Sequence, residues 1–249
     1  MRHFGLIGFP LSHSFSQGYF KTKFEQQSIL DAQYVNYPIA SINEFSSLWA
    51  MDENLAGLNV TIPYKKEVIP FLQFPSTVVK LIHACNCVRK FNGALYGYNT
   101  DVIGFEQSLL PFLKPHHTHA LLLGTGGASA AVAWVLQKLN IKYKIVSRAA
   151  DAGKISYEQV TPSLLATHTL IINASPLGMY PNVNEAPALP YEAIGVQHHL
   201  YDLVYNPSET LFLQKGKTQG ASIQNGLAML HLQAEKSWEI WNAATPIEQ

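Results

Sequence analysis

The feature that most constrains this chain is an apolar stretch that glycines interrupt near its middle. Residues 120–139 read ALLLGTGGASAAVAWVLQKL, so that Gly124, Gly126 and Gly127 follow an apolar run and precede a helix-like segment. Glycines at a strand-to-helix turn allow a tight bend and let backbone N–H groups approach a pyrophosphate at the start of the helix. The pattern predicts a dinucleotide-binding turn, although Ser129 takes the place of the usual third glycine. A tight structural turn is the alternative.

Apolar strands separated by helical segments continue around this turn. We predict strands at 120–123, 143–147, 169–173, 199–203 and 222–223, with helices at 103–113 and 128–139. The N-terminal part predicts strands at 3–8, 34–38 and 58–61, a hairpin of 85–90 with 94–98, and helical segments at 16–28, 42–51, 67–71 and 76–82. Such alternation is typical of an α/β fold with a parallel sheet covered on both faces.

Two domains of unequal size fit this pattern best. We expect an N-terminal α/β domain over 1–102 and a Rossmann-like domain over 103–225. The last helical segment, 226–249, is expected to return to the first domain.

The end of the second strand of the Rossmann-like domain indicates which dinucleotide binds. An acidic residue about 20 positions beyond the glycines would bind the ribose of NAD, whereas an arginine suits a 2′-phosphate. Here the strand ends in Ser147 and Arg148, which favours NADP. Two alternatives to NADP binding stay open. Arg148 could be a solvated surface arginine, or the nearby Asp151 could favour NAD.

Composition excludes several functional classes. Lys plus Arg and Asp plus Glu number 17 each, so the net charge is zero and gives no indication of binding to nucleic acid or to an anionic membrane.

The cysteines and the N-terminus favour a cytoplasmic protein. Cys85 and Cys87 are too close for an unstrained disulfide, and the N-terminal apolar run is short for a signal segment. The histidines at 116, 117 and 119 match no zinc spacing, so we expect no metal.

Three polar clusters follow predicted strands: residues 12–16, residues 59–65, and Asn86 together with residues 99–101. Lys65 and Asp101 from these clusters could share a proton-transfer task if they lay together in a cleft. Considered alone, Lys65 is more simply interpreted as an ordinary lysine, and Asp101 as an aspartate that caps a helix.

Together these segments resemble shikimate dehydrogenases over nearly the whole chain. The motifs that carry the resemblance are GFPLSHSFS at 8–16, NVTIPYK at 59–65, Asn86, NTD at 99–101, GTGGAS at 124–129, NASPLGM at 173–179, YDLVY at 201–205, NGLAM at 225–229 and Gln233. The resemblance implies the reversible NADP-dependent conversion of shikimate to 3-dehydroshikimate, in the biosynthesis of chorismate and aromatic amino acids.

The resemblance also implies that residues 1–102 form the substrate domain and that residues 103–225 form the Rossmann-like NADP-binding domain, and it implies roles for individual residues. Lys65 and Asp101 would be the catalytic pair, with the identity of the base left open. Six residues would bind the substrate: Ser14, Ser16, Thr61, Asn86, Tyr205 and Gln233. Eleven would bind the cofactor: Gly124, Thr125, Gly126, Gly127, Ala128, Ser147, Arg148, Ala174, Ser175, Leu203 and Gly226.

Some family positions differ here. Ala149 stands where the family usually has threonine at the 2′-phosphate site, which weakens the expected preference for NADP over NAD. Two alternatives stay open: a quinate/shikimate dehydrogenase of broader cofactor range, and a non-catalytic dinucleotide-binding sensor. The expected partner is a small-molecule substrate, and the protein is expected to be a monomer or a homodimer.

Overall fold

The computed structural model describes residues 1–11, 15–151 and 153–248, and the chain divides into two compact units. Unit 1 comprises residues 1–100 and 233–249, and unit 2 comprises residues 101–232. The sequence analysis placed the corresponding boundaries at residues 102 and 226. Within the described ranges, no helix is both long enough and apolar enough to span a bilayer.

Unit 1 contains a mixed six-stranded sheet in the order β2-β1-β3-β5-β6-β4. Its strands are β1 (Arg2–Gly8), β2 (Ala32–Pro38), β3 (Leu55–Val60), β4 (Phe74–Pro75), β5 (Cys87–Phe91) and β6 (Ala94–Tyr98). β5 runs antiparallel to both β3 and β6. Asn92 and Gly93 connect β5 to β6 with φ values of 49° and 78°, the two positive angles that a tight hairpin turn of this type requires. The predicted hairpin is therefore confirmed.

The helices of unit 1 are short: α1 (Phe15–Gln26), α2 (Phe45–Met51) and α3 (Thr77–Ile82). A 3₁₀ turn at Ile42–Glu44 precedes α2, and the Ser41 and Glu44 side chains form a capping box. A helical segment predicted over 67–71 is only a 3₁₀ turn, Ile69–Phe71. Pro70 at the start of this turn has no backbone N–H, which limits helix growth at this point.

The last helix, α8 (Leu227–Asn242), supplies unit 1 with part of its core from Gln233 onward. Trp241 stacks on Phe4 with ring centroids 4.9 Å apart, and its indole N–H donates to the Val88 carbonyl at 3.0 Å. Gly57 permits this approach, since a Cβ there would lie 2.3 Å from the indole nitrogen. The chain end is thus fastened to β1, β3 and β5 by packing.

Unit 2 contains a wholly parallel six-stranded sheet in the order β12-β11-β10-β7-β8-β9. Its strands are β7 (His119–Leu123), β8 (Lys142–Ser147), β9 (Lys154–Ser156), β10 (Leu170–Asn173), β11 (His199–Asp202) and β12 (Ser222–Gln224). The helices are α4 (Thr100–Leu109), α5 (Gly127–Lys138), α6 (Pro162–Leu165) and α7 (Leu211–Thr218). The strand order reverses between β7 and β10, and ligands of such sheets bind beyond the carboxyl ends of the strands at this point.

A histidine at the other end of this sheet is buried, and we expect it to make the stability of unit 2 sensitive to acid. His199 is fully buried, and burial, with the nearby His117 as a second cause, lowers the pKa of His199 to about 4. Its Nδ1 lies 2.9 Å from the Ser222 hydroxyl. In the unfolded chain, the His199 imidazole becomes protonated near pH 6.5, whereas in the folded protein it stays neutral down to about pH 4. Neutral His199 therefore makes its full contribution to the free energy of unfolding above pH 6.5, and this contribution is lost as the pH falls toward 4.

Replacing His199 by phenylalanine should therefore make the protein more stable relative to wild type as the pH falls. The expected relative gain between about pH 7 and pH 4 is about 3 kcal/mol, from a pKa lowered by burial. Asp202, whose pKa is raised to about 6, acts in the opposite direction in both proteins and cancels in the comparison. Urea unfolding at several pH values measures the difference, and a difference that does not change with pH would contradict the prediction.

Candidate active site

The glycine turn joins β7 to α5 at the carboxyl end of the parallel sheet. Gly124 has φ +105°, and a Cβ at this position would lie 3.0 Å from the Ser175 backbone nitrogen. The Gly124 N–H donates to the Val146 carbonyl at 2.9 Å, and the Ser129 hydroxyl donates to the Gly124 carbonyl at 2.9 Å. Ser129, at the position of the third glycine, therefore holds the turn closed from inside the helix.

The start of α5 is open to solvent. Residues 125–127 are exposed, and the N-cap Gly126 provides no side-chain hydrogen bond to the first turn. The first N–H groups of a helix have no intrahelical acceptor and carry partial positive charge, which suits an anion. Together with the close backbone approach at Gly124, this end of α5 fits the pyrophosphate of a dinucleotide.

Arg148 follows β8 directly and is exposed. The pairing of Ser147 with Ser156 brings Tyr157 beside Arg148. Burial raises the pKa of Tyr157, and the positive charge of Arg148 opposes this effect. The Ser147 hydroxyl donates to the Ala149 carbonyl. This bond uses the only hydroxyl proton of Ser147. The exposed Arg148 guanidinium beside it has the geometry that suits a phosphate.

A buried carboxylate fixes the ends of β10 and β11. Asp202 is fully buried and accepts hydrogen bonds from Asn173 Nδ2 at 3.0 Å, from the Val204 N–H at 3.0 Å and from Thr210 Oγ1 at 2.5 Å. Burial raises its pKa to about 6, which these bonds oppose. Asn173 Oδ1 in turn accepts from the Ser175 N–H at 3.0 Å. The backbone carrying Ala174, Ser175 and Leu203 is therefore held by one network.

The role of Asp202 in this network was missed by the sequence analysis, which quoted Asp202 only as part of a family motif. The sequence did contain an indication of this role. A single carboxylate near the end of the apolar run 199–203 needs hydrogen-bond donors around it if the strand is buried.

Gly226 and Leu203, which the sequence analysis assigned to the same part of the cofactor site, are in backbone contact. A Cβ at Gly226 would lie 2.1 Å from the Leu203 carbonyl oxygen, so only glycine fits here. The Gly226 N–H lies 3.3 Å from the Val204 carbonyl. Tyr205 follows on the same loop with 37% of its surface exposed.

In unit 1, Asn86 and Gln233 lie together although 147 positions separate them. Asn86 Nδ2 donates to Gln233 Oε1 at 3.2 Å and to Thr100 Oγ1 at 3.0 Å, and Asn86 Oδ1 accepts from the Thr100 N–H at 2.6 Å. Asn86 is 2% exposed. Its amide therefore has a fixed orientation, and it fixes the orientation of the Gln233 amide.

The segment with Lys65 is attached to the same sheet. The Thr61 N–H donates to the Ile7 carbonyl at 2.9 Å, and the Cys85 N–H donates to the Lys65 carbonyl at 2.7 Å. Thr61 and Lys65 are both half-buried. The second backbone bond holds Lys65 opposite the residue that precedes Asn86.

The other assigned residues are placed as follows. Ser16, in the first turn of α1, is half-buried and hydrogen-bonds the Tyr34 phenol, whose pKa burial raises and this bond lowers. Ser14 lies outside the described residues. Asp101 is 5% exposed in the first turn of α4 and directly follows Thr100, but it belongs to unit 2 whereas Lys65 belongs to unit 1.

The chain is similar to known proteins over nearly its whole length. Residues 6–88 match the family model described as the shikimate dehydrogenase substrate binding domain. The NADP(+) shikimate dehydrogenase of Desulforamulus reducens is 34% identical over 97% of this chain and 90% of its own length. That of Carboxydothermus hydrogenoformans is 36% identical over 97% and 92%.

The chain belongs to the shikimate dehydrogenase family.

The crystal structure of the shikimate 5-dehydrogenase of Thermus thermophilus in complex with NADP(H) and shikimate is 28% identical and covers 99% of this chain and 95% of that one, with a TM-score of 0.86. The resemblance to shikimate dehydrogenases and the α/β fold class are thereby confirmed. The matched substrate-binding segment ends at residue 88, so it includes Lys65 and Asn86, while Gln233 comes from the far end of the chain.

Proposed function

We propose that the protein is an NADP-dependent shikimate dehydrogenase, which interconverts shikimate and 3-dehydroshikimate. The observation that carries this proposal is the similarity to NADP(+) shikimate dehydrogenases over 97% of the chain, including both units. A likeness confined to unit 2 would support dinucleotide binding alone, because many activities share that fold.

The cofactor is assigned to the carboxyl end of the sheet in unit 2. The open start of α5 at Gly124, Thr125, Gly126, Gly127 and Ala128 would hold the pyrophosphate, and Ser147 with Arg148 would hold the 2′-phosphate. Ala174, Ser175, Leu203 and Gly226 would line the nicotinamide side. When bound, NADP accepts a hydride at C4 of its nicotinamide.

The substrate is assigned mainly to polar groups of unit 1. Hydroxyl groups of Ser14, Ser16 and Tyr205 suit a carboxylate, since a hydroxyl can donate a hydrogen bond to it. Ser16 would turn its proton from the Tyr34 hydroxyl to the carboxylate when the substrate binds. The amides of Asn86 and Gln233 and the hydroxyl of Thr61 suit ring hydroxyls, because an amide both donates and accepts.

Lys65 and Asp101 are assigned to proton transfer. Oxidation of the secondary alcohol breaks its C–H and O–H bonds: the hydride leaves to the cofactor and the proton must leave to a base. Lys65 and Asp101 form the proposed unit that takes this proton, and in the reverse direction it returns the proton to the carbonyl oxygen. The remaining side chains hold the ring in place, which lowers the entropic cost of reaching the reactive geometry.

Steady-state assays of NADPH formation test the proposal. Shikimate with NADP should give the highest kcat/KM, quinate a much lower value, and NAD a value lower by about tenfold or more, since Arg148 can pair with a 2′-phosphate that NAD lacks. Turnover of neither acid would indicate a binding protein. Equal use of quinate and shikimate, or a preference for NAD, would indicate the broader quinate/shikimate dehydrogenase.

One observation favours the broader enzyme as the second candidate. Ala149 provides no hydroxyl at the 2′-phosphate position, and the Ser147 hydroxyl donates to the Ala149 carbonyl. Both features leave Arg148 with less support, so discrimination against NAD depends mainly on Arg148. A cytoplasmic location and a monomeric or homodimeric state stay predictions from the sequence.

A further inference from the structure

A line of buried hydrogen bonds crosses unit 1 from the edge strand β2 to α8. The Tyr34 hydroxyl donates to Asn59 Oδ1 at 2.9 Å, Asn59 Nδ2 donates to Ser237 Oγ at 2.9 Å, and the Ser237 hydroxyl donates to the Gln233 carbonyl at 2.9 Å. Tyr34, Asn59 and Ser237 are 8%, 6% and 0% exposed. None of the three is among the residues assigned above to substrate or cofactor.

Both ends of this line reach residues assigned to the substrate. Ser16 hydrogen-bonds Tyr34 at one end. At the other end, Ser237 lies one helical turn after Gln233, on the same face of α8. The line therefore joins the carboxylate-binding side of the proposed site to the side that binds the ring hydroxyls.

Asn59 and Ser237 also hold Asn86 from two directions. Asn59 Nδ2 donates to the Asn86 backbone carbonyl at 3.2 Å. Ser237 Oγ lies 3.3 Å from Thr100 Oγ1. The Thr100 hydroxyl in turn accepts a hydrogen bond from Asn86 Nδ2 at 3.0 Å. The backbone of Asn86 is thus held by Asn59, and the rotation of its side-chain amide is linked to Ser237 through Thr100.

Packing alone does not require these polar groups. A fully buried position on the inner face of a helix is filled well by alanine, and burying a hydroxyl or amide is favourable only when its hydrogen bonds are made. Here both N–H groups and the oxygen of the Asn59 amide are paired. A fully satisfied buried network specifies one orientation for the groups that it bonds. These groups include the Asn86 carbonyl and, through Thr100, the Asn86 amide, which in turn bonds the Gln233 amide.

We propose that Asn59 and Ser237 are positioning residues for the substrate: they fix the amides of Asn86 and Gln233 in the orientation that receives the ring hydroxyls. This inference rests on the proposed function, because it takes Asn86 and Gln233 as shikimate-binding residues. Neither Asn59 nor Ser237 needs to touch the substrate.

The variant Ser237→Ala tests this role with little change in volume. It leaves Asn59 Nδ2 with one acceptor instead of two and removes the neighbour of the Thr100 hydroxyl. We expect KM for shikimate to rise about five- to tenfold and kcat to fall by less than about threefold, with KM for NADP unchanged. Ser237→Thr, which keeps the hydroxyl, should restore most of the lost affinity.

Ser108→Ala is the matched control. Ser108 is also a buried helical serine: its hydroxyl donates to the Gly104 carbonyl one turn earlier at 2.6 Å and lies 2.7 Å from the Tyr201 hydroxyl. Its loss should lower the free energy of unfolding by a similar amount and leave KM for shikimate unchanged. Tyr34→Phe provides a second test, because it removes the hydroxyl that orients Asn59, and it should raise the same KM by a smaller factor. The same hydroxyl also bonds Ser16, so a rise in KM that occurs in Tyr34→Phe but not in Ser237→Ala would contradict the positioning role.

The outcomes separate the two proposals. Wild-type protein that does not turn over shikimate would overturn the proposed function and this inference with it. Active wild type with an unchanged shikimate KM in both Ser237→Ala and Tyr34→Phe would overturn the positioning role alone. An equal rise in KM for Ser108→Ala would show a general effect of lost stability and would also overturn it.

Discussion

Replacing Lys65 by methionine should lower kcat for shikimate oxidation by about a thousandfold, within the range expected for loss of a proton-transfer group. Methionine keeps an unbranched side chain but has no group that accepts a proton from the substrate hydroxyl. NADP binding should change little, since Lys65 lies in unit 1 and the residues assigned to the cofactor lie in unit 2. Steady-state kinetics and a titration with NADP measure the two quantities separately.

Lys66 provides the control for this variant, because it has the same charge and side chain at the next position and is exposed. Lys66→Met should keep kcat within about twofold of the wild type, as expected for a surface substitution. A Lys65→Met enzyme with wild-type kcat would remove Lys65 from the mechanism. Loss of activity in both variants would indicate a general effect of charge.

Replacing Gly126 by alanine should weaken NADP binding by about a hundredfold, because the methyl group would stand beside the N–H groups proposed to hold the pyrophosphate. The fold should tolerate this change. Gly126 has φ −71°, and the nearest atom to an added Cβ is the Ala174 carbonyl oxygen at 3.9 Å. The Kd for NADP and the free energy of unfolding should therefore respond differently.

Gly124→Ala provides the contrast, two residues earlier in the same turn. Alanine at φ +105° is strained, and its Cβ would lie 3.0 Å from Ser175 N, so the variant should lose about 1–3 kcal/mol of stability. Denaturant unfolding of both variants distinguishes strain from obstruction. A Gly126→Ala protein that binds NADP as tightly as the wild type would show that the pyrophosphate lies elsewhere.

Much of the local structure could be predicted because its causes lie within a few residues. The Asn92-Gly93 hairpin, the capping box of Ser41 and Glu44, and the strand-turn-helix at Gly124 each depend on neighbours at most five positions apart. The family motifs then gave the identities of the candidate site residues.

Elements whose stability comes from distant partners were not predicted. The strands β4 (Phe74–Pro75) and β9 (Lys154–Ser156) have two and three residues and exist through pairing with β6 and β8. The helix α7 (Leu211–Thr218) begins at the Thr210 cap, and it packs Phe212 and Leu213 into the core of unit 2. Segments this short carry too little periodic pattern to be recognised from sequence.

By itself, the sequence determined the α/β class, the strand-turn-helix at Gly124 and the family, since each depends on residue types in a short order along the chain. Only the tertiary structure decided which polar groups meet: Asn86 with Gln233, Asn59 with Ser237, and Asp202 with Asn173 and Thr210. The reason is that a buried donor or acceptor must find a partner wherever the packed core brings one within reach, and separation along the chain does not restrict that choice.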